Sequence, residues 1–98
     1  MVTFLALYKR PPDPDAFLEH YKTVHVPLAE ALPGLQNMWW GLASPLGAGD
    51  DIYLVASLQF GDREALDRAM ASPEGRAAAD DLNHFAKNLY QLKVVDCQ

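Results

Sequence analysis

The chain has 98 residues, enough for one domain and too few for two. Half of the residues are apolar, ample for a core, but a domain this small buries a modest fraction of its surface, so pairing with a second copy would stabilise it. A net charge of −5 argues against nucleic acid as a partner, since phosphates need a basic surface, and it disfavours anionic membranes too.

Val2 to Lys9 reads as a first strand, closed by Arg10-Pro11-Pro12. Both alternating sets are apolar: Val2, Phe4, Ala6 and Tyr8 on one side, Leu5 and Leu7 on the other, so both faces should be covered. Asp13-Pro14-Asp15 then opens a helix, with Asp13 as cap, Pro14 at the first helical position and Asp15 at the positive end of the dipole. Phe17, Tyr21, Val24, Leu28 and Leu32 recur at helical spacing, and Pro33-Gly34 ends the run.

Leu35 to Leu42 is a second strand and Ser44 to Asp51 a turn-rich loop. Ile52 to Phe60 is the clearest strand, with Ile52, Leu54, Ala56, Leu58 and Phe60 forming one uniformly apolar set. Asp62 caps a second helix carrying Leu66, Ala69 and Met70. Ser72-Pro73 is a fresh cap-and-start, and Ala78, Leu82 and Phe85 continue at helical spacing to about Lys87. Leu89 to Val95 is the last strand.

The order β-α-β-β-α-β over residues 1–98 is that of a single ferredoxin-like α+β domain. Four strands make one antiparallel sheet with the helices on one face. The other face would be left bare in a monomer although its strands are apolar in both phases, so a second copy packed sheet to sheet is expected.

Within the first helix, Val26-Pro27 is expected to be a break. Proline cannot donate a helical hydrogen bond and crowds the carbonyl four residues back, and it pushes Val26 away from the helical region. Such a defect costs about 3 kcal/mol in an ordinary helix interior. His25, a residue that titrates near neutrality, stands at the break.

The single cysteine, Cys97, cannot form an internal disulfide, which fits a reducing compartment. The N-terminal MVTFLALYKRPPDPD lacks a basic n-region and a cleavage site, and no apolar run approaches a membrane span, so a cytoplasmic protein is expected.

Three segments carry a resemblance: LYKR at the end of the first strand, FLEHYKTVHVPLAEALPGL over the first helix, and MASPEGRAAADDLNHF over the last. Together they make the chain similar to the EthD family of the dimeric α+β barrel superfamily. The resemblance implies a homodimer with sheets packed face to face and a small cleft between sheet and helices in each subunit. Its founding member is associated with a cytochrome P450 system that degrades a fuel ether. Superfamily relatives include cofactor-independent monooxygenases, polyketide cyclases, lactone isomerases and haem enzymes, so the fold does not fix the reaction. By position His25 matches the family's helix histidine and Asp81 its acidic residue upstream of an Asn-Phe pair, here Asn83 and Phe85 with His84 between them.

His25 can act as base, acid or ligand, and it lies four residues after Tyr21 on the same side of a helix. The alternative is a histidine that satisfies carbonyls freed by Pro27. Asp81 either pairs with His25 across the cleft as half of an acid–base couple or is a surface acid beside Asp80. Trp39 and Trp40 are adjacent on a strand and point to opposite faces, one toward the cleft and one toward the partner sheet. Tyr8, Tyr21 and Tyr53 can supply hydroxyls to a ligand or serve as core-edge residues.

A metal site finds no support. His20 and His25 are five apart, which is wrong for one face of an α-helix, and no cysteine cluster helps. Haem would need a much larger cleft, and GAGDD lies between strands rather than opening a helix, so no cofactor is expected. Two functions remain. One is an oxidoreductase or proton-transfer enzyme, without cofactor, acting on a small hydrophobic compound. The other is a non-catalytic dimeric ligand-binding or accessory protein of a degradation or redox pathway.

Overall fold

The computed structural model describes the whole chain, Met1–Gln98. Its elements are β1 (Val2–Lys9), α1 (Pro14–His20), a π-helical turn (Tyr21–His25), α2 (Val26–Glu30), β2 (Asn37–Leu42), β3 (Ile52–Phe60), α3 (Arg63–Ala71), α4 (Pro73–Phe85) and β4 (Tyr90–Asp96). The four strands form one sheet in the order β2-β3-β1-β4, and every pair is antiparallel. This is the ferredoxin-like arrangement expected from the element order.

Register sorts the side chains. Met38, Leu58, Phe4 and Val94 form one row across the sheet, and Trp40, Ala56, Ala6 and Leu92 the next. These rows face the helices. Tyr8, Leu54 and Phe60 on the same face are fully buried, with Tyr21 above them. An aromatic cluster fills the middle: Tyr8 meets Phe17 at 5.7 Å and Tyr21 at 5.8 Å, both edge to face, a favoured geometry for aromatic pairs. On the opposite face Trp39, Ser57, Leu5 and Lys93 share a row, and Trp39 is 52% exposed.

Local chemistry fixes the helix ends. Asp13 accepts from the Ala16 N–H at 3.2 Å and Asp62 from Ala65 at 2.8 Å. The Ser72 hydroxyl accepts from Gly75 N–H at 3.0 Å and donates to the Ala69 carbonyl at 2.6 Å. One side chain thereby closes α3 and opens α4.

The expected break at Val26-Pro27 is corrected. Val26 stays helical, at φ −58° and ψ −47°, and its N–H donates to the carbonyl of Tyr21, five residues back. The backbone thus widens into a π turn instead of breaking. The reason lies in Pro27, which offers no N–H to the Thr23 carbonyl and crowds it. Admitting one extra residue to the turn relieves that crowding and keeps the chain helical. The Thr23 hydroxyl donates to the Glu19 carbonyl at 2.8 Å, giving another carbonyl of this stretch a partner.

The extra residue also rephases the buried stripe. Phe17, Tyr21, His25, Ala29 and Leu32 are buried, whereas Val24, expected inside, is 40% exposed. The π turn therefore places His25, rather than Val24, against the core.

Candidate functional site

The site is built from the π turn, α4 and the sheet floor. Asp81 of α4 accepts two imidazoles. His25 Nδ1 lies 3.0 Å from its Oδ2, and His20 Nε2 lies 2.8 Å from its Oδ1. The side chains of Asp81 and His25 are only 11% and 10% exposed, so the carboxylate is not a surface acid.

His20 is the member that reading the sequence missed, and the five-residue spacing is why. In an α-helix residues i and i+5 stand roughly 140° apart around the axis. The π turn between them has more residues per turn and brings both rings to one carboxylate. Phe85 covers the group, its ring centroid 4.7 Å from that of His20 and 5.0 Å from that of His25. The three groups do not converge on one point as metal ligands would; each nitrogen instead meets its own carboxylate oxygen.

Beside His25 lies a cavity of about 260 Å3 between the helices and the sheet. Its floor is Phe4, Ala6 and Tyr8 of β1 with Ala56 and Leu58 of β3. Its roof is Tyr21, His25, Ala29 and Leu32, and its far wall is Met70, Gly75, Ala78 and Leu82. Fourteen of the sixteen lining residues are hydrophobic. Leu92, 40% exposed, stands at the rim. That is room for one or two rings, not for a porphyrin.

His25 forms part of this wall, and its Nε2 makes no hydrogen bond to the protein. Burial pushes the imidazole below its ordinary pKa, and His20 adds to that; the hydrogen bond and charge of Asp81 pull the other way without overcoming burial. The ring is therefore neutral at pH 7. Its Nδ1–H donates to Asp81, which leaves the Nε2 lone pair as a base. Tyr21 also lines the cavity and its hydroxyl is buried without a partner. Burial raises both tyrosines above the ordinary phenol value, and Tyr21 adds to the rise at Tyr8, so both remain protonated.

Of the residues proposed from sequence, His25, Tyr21 and Tyr8 line the cavity, and Asp81 reaches it through His25. Trp40 faces the helices and packs edge-on against Tyr21 at 5.0 Å, behind the wall rather than in it. Trp39 lies on the opposite sheet face, away from the cavity. Tyr53 packs against Phe17 and under Arg10. The far wall was also missed; its only signal was the small residues Gly75 and Ala77 to Ala79.

His20 lines a second, open groove with Pro11, Pro12, Asp13, Phe17 and Phe85. Asp81 thus joins a ring at the inner cavity to one at an outer groove.

The model of the EthD domain matches residues 9–88, from the end of β1 to the turn before β4. The chain belongs to the EthD family. An uncharacterised 11.0 kDa protein of the thcB-thcC intergenic region of Rhodococcus erythropolis is 40% identical over 81 residues, covering 82% of this EthD chain and 79% of that one. The crystal structure of an EthD family protein from Bacillus halodurans superposes with a TM-score of 0.95 at 35% identity, over 100% of this chain and 99% of that one.

Two further structures, each 18% identical, share the fold alone. SnoaB of Streptomyces nogalater, a cofactor-independent oxygenase, has a TM-score of 0.70 over 99% of this chain and 92% of that one. A dimeric ferredoxin-like protein of unknown function from Thermobifida fusca has a TM-score of 0.74 over 98% of this chain and 90% of that one. No helix of this EthD protein is long and apolar enough to cross a membrane.

Proposed function

We propose that this EthD protein binds a small, largely apolar organic molecule in the inner cavity and moves a proton on it. His25 serves as the base and Asp81 as its orienting partner. The supporting observation is His25 itself: buried, neutral, tied through Nδ1 to a carboxylate, with its other nitrogen free at an apolar cavity. Deprotonation yields an electron-rich anion, the form in which an organic molecule isomerises or gives electrons to an oxidant. An isomerase and a cofactor-independent oxidoreductase of the cytoplasm both fit that first step.

A second reading keeps the cavity and drops the chemistry. Asp81 ties both ends of the π turn to α4, which favours an accessory binding protein whose histidines hold the widened helix in place.

A library of small apolar compounds, read by thermal shift on wild type and His25→Ala, tests the site. A ligand at about 100 times its Kd adds about 2.7 kcal/mol, a rise of roughly 10 °C or more in a domain of this size. The expected result is such a rise in wild type and a reduced one in a folded His25→Ala protein. Absence of any hit in wild type overturns the binding site. An equal shift in the two proteins overturns the role of His25.

The protein is further proposed to be a homodimer through the bare sheet face, where Trp39 and Val95 are 52% and 41% exposed beside half-buried Leu5, Leu7 and Val55. Light scattering should give two chains per particle, and Trp39→Glu should give one. A clean wild-type monomer at micromolar concentration contradicts the dimer.

A further inference from the structure

Tyr21 is 0% exposed, and its hydroxyl is the one buried side-chain polar atom of the chain that has no hydrogen-bond partner. A buried phenol usually finds a partner, and leaving it without one destabilises the fold. Other rings hold the Tyr21 side chain in place. Trp40 packs on it edge to face at 5.0 Å, Tyr8 at 5.8 Å, and the His25 ring lies 5.8 Å away. Tyr21 lines the cavity, so a ligand there lies against this residue. His25, on the same wall, offers a lone pair to that same space.

We infer that the cavity is built for an uncharged cyclic ketone, whose carbonyl oxygen accepts from the Tyr21 hydroxyl while His25 takes a proton from the adjacent carbon. This rests on the reading of the cavity as a small-molecule site and names its ligand class. Three features select the class. No Lys or Arg lines the cavity, so a carboxylate or phosphate would enter without a counter-charge. Fourteen apolar lining residues match a hydrocarbon frame. A phenol that burial keeps protonated is a donor, and it pairs with an acceptor oxygen.

The step balances without an oxidant. The C–H bond next to the carbonyl breaks and its proton passes to His25 Nε2. The electron pair becomes a C=C bond, and the charge moves to the carbonyl oxygen, where the Tyr21 O–H holds it. Asp81 faces the resulting imidazolium through Nδ1–H at 3.0 Å. Return of the proton to the same carbon gives exchange, to another carbon isomerisation, and to the oxygen the enol.

The experiment uses three probes of similar size: α-tetralone (ketone), tetralin (no oxygen) and 1-naphthoate (charged). In wild type, α-tetralone should bind about tenfold more tightly than tetralin, the effect of one added neutral hydrogen bond. In D2O the protein should speed loss of its C2 proton signal. Tyr21→Phe should bind the two neutral probes within about twofold of each other and exchange roughly a hundredfold more slowly. Its Tm should stay level or rise, since the hydroxyl it loses is unpartnered in the free protein. His25→Ala should abolish the exchange while keeping the preference for the ketone.

Equal binding of α-tetralone and tetralin in wild type, or a preference that survives in Tyr21→Phe, overturns the ketone and leaves the cavity standing as an apolar site. Tighter binding of 1-naphthoate overturns it too. Binding of neither neutral probe overturns the ketone and the cavity together.

Discussion

A Gly75→Ala protein should be destabilised by about 3 kcal/mol, the upper end of an overpacking penalty. Helix propensity alone predicts the opposite sign, since alanine is favoured over glycine in a helix by about 1 kcal/mol. Packing decides the outcome. A Cβ on Gly75 would press on the carbonyl oxygen of Ala69 and lie 2.6 Å from that of Met70. Both are backbone atoms of α3, so no side chain can swing aside. The Ser72 hydroxyl, bonded to Ala69 and Gly75 at once, fixes the two helices at that distance.

Out of the 5–15 kcal/mol that holds a domain together, such a loss lowers Tm by roughly 15 °C. Urea unfolding of Gly75→Ala beside Arg76→Ala, an exposed neighbour expected within about 0.5 kcal/mol of wild type, checks it. A Gly75→Ala protein as stable as the control would show that the α3–α4 corner yields. Gly75 also lines the cavity, so the substitution should weaken ligand binding at temperatures where the protein remains folded.

The second large effect is expected at Asp81. Asp81→Leu leaves the buried Nδ1–H of His25 without its acceptor, and His20, 29% exposed, can turn to water. The loss should be about 2–3 kcal/mol, set by the one imidazole that has no other partner. Asp81→Asn keeps the shape and one acceptor oxygen, and should cost about 1 kcal/mol.

The two variants also change how His25 titrates. Its folded pKa lies below the ordinary 6.5 because burial outweighs the pull of Asp81. The unfolded chain therefore binds the proton first. The contribution of neutral His25 to stability is complete above pH 6.5 and is lost as pH falls through the lower, folded value. Without the carboxylate that value should fall further in both variants. Following the His25 ring proton by NMR from pH 8 downward measures this. A midpoint that stays put or rises in Asp81→Asn would show that Asp81 does not govern the ring.

Much of the molecule was legible because it depends on local rules. Asp13-Pro14, Asp62 and Ser72-Pro73 announce helix starts, since a capping oxygen and a proline at the first position satisfy needs that exist at every helix N-terminus. The alternation in Ile52–Phe60 announces a strand with one wholly apolar face. From these, and from the family resemblance, came the element order, His25 and Asp81 as candidates, and Tyr21 and Tyr8 beside them. The choice between Trp39 and Trp40 stayed open. Adjacent strand residues always oppose each other, and only the position of the helices says which side is inside.

What the sequence determined by itself was that something must happen at Val26-Pro27, because proline lacks a donor in any context. How the chain answers was a tertiary matter. A break and a widened turn relieve the same crowding. Helical Val26, bonded to the Tyr21 carbonyl, shows that the turn widened. One extra residue then exchanged Val24 for His25 on the inner face and brought His20, five residues away, to the same carboxylate. Asp81 comes from an element 56 residues distant from His25, and no local pattern records that pairing. Proline fixed the place of the defect, and the packing of α4 over the sheet decided that it sets one imidazole and an unpartnered phenol at the cavity, with the carboxylate behind them tying in a second imidazole at the outer groove.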